Sequence, residues 1–199
     1  MILTEVAPVP DSALPLEAFK AHLRLGTGFG EGNLQDSVLI GFLRAAVSAI
    51  EARTGKGLIR RTFEWVLPRW RDPSRATFPV APVVAISAVV VEDGAGSQTT
   101  LDPGLYHLEQ DTHHPKLRPA RGHLPLVAKG GSAKITFEAG LATHWGDLPA
   151  DLAQAVLMLA AHYYEYREDT GLHGGCMPFG VTSLIERYRA PRLSLRAVQ

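Results

Sequence analysis

The chain has 199 residues, 46% hydrophobic and 20% charged, enough to bury the core of one ordinary globular domain. Lys+Arg 20 balances Asp+Glu 20, which excludes a global field steering the chain to nucleic acid or a membrane. The single cysteine, Cys176, excludes an intramolecular disulfide and fits a reducing compartment. No signal peptide is expected, and the longest apolar run, residues 80–91, is interrupted by Pro82 and Ser87 and too short to span a bilayer.

Residues 1–13 read as a loose, Pro-containing lead-in. A first helix is predicted to open near Pro15, whose missing N–H costs nothing in a first turn, with Glu17 placed to favour the dipole. Leu16, Phe19 and Leu23 recur at helical spacing and make one apolar stripe. Residues 26–32, Gly-Thr-Gly-Phe-Gly-Glu-Gly, read as a loop. A second helix is predicted after Asn33 as N-cap, with Asp36 three residues on. Leu39, Phe42, Leu43, Ala46 and Ile50 form its apolar face, and Ala45, Ala46 and Ala49 would allow another helix close. Gly55 supplies the left-handed residue that ends it.

From residue 60 to 140 the period changes. Phe63, Trp65 and Leu67 alternate with Thr62, Glu64 and Val66, and residues 83–92 are rich in β-branched side chains. Asp93-Gly94-Ala95-Gly96 and Asp102-Pro103-Gly104 are turn chemistry, the second lying between extended segments 98–101 and 105–109. Residues 133–138 make a last strand, and 111–131 read as mostly loop. A third helix is predicted near Pro149, with Asp147 as cap and Asp151 in the first turn. Leu152, Ala155, Val156, Leu159, Ala160, Tyr163 and Tyr166 give it a broad apolar face. Residues 170–178 read as a Gly-rich loop, 181–188 as a short fourth helix, and 192–199 as a free tail after Pro191. The expected fold is α+β: a helical bundle of three long helices and a short C-terminal one, with a small antiparallel sheet inserted. It is read as one domain over 1–199, comprising N-terminal helices 14–59, β insertion 60–140, C-terminal helices 147–189 and extended tail 190–199.

Candidate chemistry is sparse. Gly55-Lys56-Gly57 fails as a phosphate loop: Ile50 stands where a glycine is needed, Gly57 follows the lysine where Ser or Thr is needed, and the order is helix to strand. Eight histidines (His22, His107, His113, His114, His123, His144, His162 and His173) include no pair one helical turn apart, so no metal site is expected. Cys176 lies in a loop without local support for a nucleophile, and no Gly-x-Ser-x-Gly elbow occurs. Glu165 and Glu168 read as a solvated charged face. No catalytic residue and no cofactor are predicted. The alternatives are a small metal-dependent hydrolase using loop histidines and a DNA-binding module using the basic C-terminal tail. That tail is the most distinctive remaining segment. Arg187, Arg189, Arg192 and Arg196 follow Glu186 with no further acid, and Leu193 and Leu195 alternate with Ser194 and Arg196 as in an extended segment that docks on a partner.

Several pieces in fixed order carry a family resemblance: Leu14-Pro15-Leu16-Glu17-Ala18-Phe19-Lys20-Ala21-His22-Leu23-Arg24; Ala49-Ile50-Glu51-Ala52-Arg53-Thr54-Gly55-Lys56; Leu101-Asp102-Pro103; Lys134-Ile135-Thr136-Phe137-Glu138-Ala139-Gly140; Leu148-Pro149-Ala150-Asp151-Leu152; and Ala161-His162-Tyr163-Tyr164-Glu165-Tyr166-Arg167-Glu168. Over residues 14–190 this layout resembles the head–tail connector (adaptor) proteins of long-tailed phages and gene transfer agents. The chain departs from that family in its Gly-rich first loop, usually acidic, and in residues 111–131, which do not align. The resemblance implies a non-enzymatic virion protein at the head–tail junction, present in the host cytoplasm during assembly. It implies a closed ring, usually of twelve copies, between the portal protein and a stopper or tail-completion protein, with DNA passing through the channel without sequence specificity. In related adaptors a C-terminal segment docks on the portal. Carried over, that role falls on Arg192, Leu193, Ser194, Leu195, Arg196, Ala197, Val198 and Gln199.

Overall fold

The computed structural model describes residues 1–25, 32–167 and 177–190, without the side chains of residues 32–34. In chain order the elements are β1 (Ile2–Glu5), α1 (Leu16–His22), α2 (Gly32–Thr54), β2 (Arg61–Leu67), β3 (Ala76–Thr77), β4 (Val83–Glu92), β5 (Gln98–Thr100), β6 (Tyr106–Glu109), β7 (Lys116–Pro119), β8 (Ser132–Ala139), α3 (Ala150–Glu165) and α4 (Phe179–Ile185).

The expectation of a helical bundle with a small inserted sheet is overturned. The strands form two antiparallel sheets, five-stranded in the order β1-β2-β8-β4-β5 and three-stranded in the order β3-β7-β6. They enclose an apolar core of their own, separate from the one among the helices. Three strands lie where the sequence predicts none, the shortest being the two-residue β3. The supposed lead-in forms β1, an edge strand paired with β2 from Ile2↔Val66 to Glu5↔Phe63. The supposed loop at 111–131 contains β7, which joins β3 to β6. Among the described residues only α2 and α3 are long helices, at 23 and 16 residues. The first spans seven residues and ends as Arg24 turns left-handed at φ 56°, while α4 spans seven and continues as one 3-10 turn over Glu186–Tyr188.

Strand β2 obeys the period of two: Phe63, Trp65 and Leu67 are buried. Strand β8 buries Ala133, Ile135, Phe137 and Ala139 opposite them. Strand β4 breaks the rule. Two register shifts against β8 each insert a residue, so Val83, Ile86 and Val89, three apart, all reach the same core. The aromatic rings meet there: Phe137 lies 5.5 Å from Phe63 and 4.8 Å from Phe78, and Phe78 lies 5.6 Å from Trp65. Such contacts add specificity beyond area burial.

The helical core takes Leu39, Leu43, Ala46 and Ile50 from α2 against Leu152, Ala155, Val156, Leu159 and Ala160 from α3, with Phe19 of α1 and Val181 and Ile185 of α4. The apolar face predicted for α3 therefore lies inside, except that Tyr166 is exposed just past the helix end. Two cap assignments change. Helix α2 already begins at Gly32, so Asn33 lies within it. Asp147 closes the 3-10 turn before α3 by accepting from the His144 amide at 3.3 Å, and Pro149 precedes the helix.

Candidate assembly surfaces

The segment that leads from α2 to β2 is tied by buried polar contacts. Gly55 ends α2 with φ 69°, as its position after Thr54 predicts. Its neighbour Lys56 is 2% exposed. The Lys56 ammonium donates to the Thr112 carbonyl and lies 3.1 Å from His113 Nδ1. Burial pushes the Lys56 pKa down from the ordinary lysine value, with Asp111 opposing. Burial, then Lys56 and His114, likewise depress His113. Asp111 holds the turn by accepting from the His113 and His114 amides at 2.8 and 2.6 Å. The lysine of the apparent phosphate motif is thus an internal brace directed away from solvent.

A second brace lies a few residues on. The Arg61 guanidinium donates to both oxygens of Glu51 on α2, at 2.9 and 2.7 Å, and to Glu5 on β1 at 2.7 Å. The same Glu51 carboxylate accepts the Leu58 amide at 2.7 Å. Burial works against the Arg61 charge, but the hydrogen bonds to Glu51 and Glu5 outweigh it, so its pKa stands above the ordinary arginine value. At the close crossing beside it, Gly140 adopts φ 142°, and a Cβ there would meet the Arg60 backbone at 2.5 Å. Only glycine fits such an approach.

Among the described residues, the candidate chemical side chains do not assemble into a catalytic constellation. His22, His107, His114, His123 and His144 are exposed and dispersed, and the His162 ring lies 4.7 Å from that of Tyr166 at a 46° tilt. Among the described residues no three His, Cys, Asp or Glu side chains are grouped to hold a metal ion. His173, Cys176 and Glu168 lie outside the described residues, as do residues 26–31 of the first Gly-rich loop and residues 192–199 of the tail. Two shallow clefts are lined by structural ion pairs. One, of about 210 Å³, lies beside Arg44, Glu51 and Arg61, and the other, of about 270 Å³, beside Met1, Arg71 and Arg75.

The surface is more informative. The root of the tail is anchored: Arg187 pairs with Asp151 at 2.8 Å, the Tyr188 hydroxyl donates to the same carboxylate at 2.7 Å, and Arg189 pairs with Glu186 at 2.9 Å. Two of the four arginines assigned to a basic tail are therefore already matched by acids. Phe179, at the start of α4, is 87% exposed, and Leu126, on the sheet loops, is 90% exposed.

No protein-family model matches the chain, and no curated protein does. Among solved structures, a chain in the neck of an empty gene transfer agent particle, computed with C6 symmetry, is 45% identical with a TM-score of 0.88, and the match covers 98% of both chains. A chain in the virion of a native gene transfer agent particle is 45% identical at a TM-score of 0.84, and one in the native neck computed with C12 symmetry is 41% identical at 0.83, each covering 98% of both chains. The chain belongs to the head–tail connector family. It is a structural virion protein of the head–tail junction. Its connector fold extends over residues that the sequence resemblance left unaligned, including the segment that carries β7. The hydrolase and tail-only DNA-binding alternatives find no support.

Proposed function

We propose that this connector forms a closed ring of twelve copies between a portal protein and a stopper or tail-completion protein, and that DNA passes through its channel. The observation that carries this reading is identity of 41–45% over 98% of the chain to neck chains, one from a neck computed with C12 symmetry. Heterologous contacts that repeat around an axis close into rings, and two braced cores suit a subunit that must hold shape under load. Its role is architectural and non-enzymatic, a reading supported by identity to neck chains. The tail, residues 192–199, is the portal-binding segment in this reading, extending from the anchored turn at Glu186–Tyr188. The whole chain acts as one domain with that tail as its docking arm.

Two measurements test the proposal. Electron microscopy of particles should show a twelvefold ring of this protein at the head–tail junction, and a connector located elsewhere would refute it. Deleting residues 190–199 should abolish co-purification with portal while the circular dichroism spectrum is retained. Undiminished co-purification would refute the docking role.

A further inference from the structure

The sequence scatters its basic residues, but the fold gathers some of them at one place on the sheets. Residues 68–75 connect β2 to β3, and residues 120–126 follow β7. These loops are bound together: the Leu124 amide donates to the Pro73 carbonyl at 2.8 Å, and the Trp70 indole donates to the Pro125 carbonyl at 2.7 Å. Together they carry Arg69, Arg71, Arg75, Arg121 and His123, all exposed, against the single acid Asp72. With histidine neutral that is a net +3 on two short loops, in a chain whose formal charge is zero.

The pairing within the cluster is uneven. Arg75 is matched by Asp72 at 2.9 Å, and Asp72 also accepts from the Ser74 hydroxyl at 2.7 Å. Among the described residues Arg69, Arg71 and Arg121 have no acidic partner. Elsewhere on the fold, cations in reach of an acid take it, as Arg44 does with Asp11, Lys116 and Arg118 with Glu109, and Arg187 with Asp151. Two of the three unmatched arginines lie on the first of these tied loops and the third on the second. Exposed guanidinium groups with no acid beside them pair well with phosphate oxygens.

We propose that this two-loop tip contacts the phosphate backbone of duplex DNA without reading sequence, through Arg69, Arg71 and Arg121. The loops offer no helix or paired strand to enter a groove, so the contact is electrostatic and weak per copy. The choice of DNA as the polyanion rests on the neck reading, in which DNA passes the ring; the charge cluster itself does not depend on it. Weak contact per copy suits passage, because a strongly basic wall would hold the duplex.

The test is fluorescence anisotropy of the full chain against a random-sequence duplex over a salt series, with oligomeric state measured in parallel. Three phosphate contacts predict a slope of log affinity against log salt of about −2.7, at affinities near the weak end of the nonspecific range, about 10⁻⁴ M. The triple variant Arg69→Gln, Arg71→Gln, Arg121→Gln should bring the slope close to zero, with unchanged circular dichroism. A chain truncated after Ala190 should keep the wild-type slope. An absence of salt-dependent binding at low salt, an unaltered slope in the triple variant, or loss of binding on truncation would each overturn the assignment. So would tighter binding to polyglutamate than to duplex at equal charge concentration, which would mark the tip as a contact for an acidic protein. If DNA binding fails while twelvefold rings are still seen in particles, only this inference falls. If rings are absent but the slope follows the arginines, the neck reading falls and the surface stands.

Discussion

Glu51→Ala is the sharpest probe of how the two cores are held together. In the native chain Glu51 receives both terminal nitrogens of Arg61 and the Leu58 amide, while its side chain is 15% exposed and that of Arg61 is 10% exposed. Removing one partner of a buried, bidentate pair costs about 3–5 kcal/mol, because the other charge stays desolvated. Glu5 remains as a second partner for Arg61 and moderates that loss, whereas the orphaned Leu58 amide adds about 1 kcal/mol. We expect a net loss of about 3–4 kcal/mol, which for a chain of this length lowers Tm by roughly 10 °C. Glu5→Ala removes a partner whose side chain is 41% exposed and should cost about 1 kcal/mol or less. Urea unfolding of the two variants beside the parent measures the difference. The double change Glu51→Leu with Arg61→Met removes both charges together and should recover more than half of the Glu51→Ala loss. Equal losses for Glu51→Ala and Glu5→Ala, or a double variant worse than Glu51→Ala, would refute the view that Glu51 and Arg61 form the energetically dominant brace.

Other expectations follow from the same geometry. Gly140→Ala forces a Cβ against the Arg60 backbone in a left-handed conformation, and should cost at least about 2 kcal/mol or abolish soluble expression. Phe137→Ala leaves a cavity where three rings meet and should cost about 3–5 kcal/mol by urea unfolding. Acid should weaken the fold in two stages. The depressed His113 pKa means its share of stability is fully present above the unfolded value of about 6.5 and is lost as pH falls through the lower folded value. Glu109, held down to about 2 by Arg118 and then Lys116, contributes above the unfolded 4.5 and loses that share as pH falls toward 2. The urea midpoint measured from pH 8 to pH 3 should therefore decline first below neutrality and again below pH 4.5. His113→Asn should remove the first decline, and Glu109→Gln should reduce the second, to which the depressed Asp72 and Asp111 also contribute.

Much of this fold can be read from local chemistry. The alternation of Phe63, Trp65 and Leu67, the turns at Asp93 and Asp102, and the glycine stop after Thr54 each express a rule that operates within a few residues. The failures concern pairing over distance. Ile2–Glu5 is too short and too exposed to announce a strand, and becomes one only because β2 offers it an edge. In β4 the inward residues fall three apart, a spacing that no period-two reading of the sequence recovers, because the bulges are set by the partner strand. The site was less legible than the fold. The failed phosphate-loop pattern says nothing of what Lys56 does instead, since nothing near it in sequence reveals Thr112 or His113 as partners of an internal brace. Arg69 and Arg121 are 52 positions apart in the chain, so their shared surface emerges only once Pro73 and Pro125 are seen to anchor the same tip. Arg187 reads as free charge because nothing near it in sequence reveals Asp151 as its partner.

The separation of the two apolar cores has a consequence for how such a subunit can evolve and fold. No buried residue is shared between them, and the chain crosses from one to the other between β1 and α1, between α2 and β2, and between β8 and α3. A volume change inside the sheets, such as a smaller residue at Val89, can be relieved by neighbours there without moving α2 against α3. Hydrogen exchange should accordingly resolve two cooperative opening units, with amides of α2 and α3 in one and those of β2 and β8 in the other. Mutation can then reshape the strand loops for new contacts while the helical frame keeps its geometry.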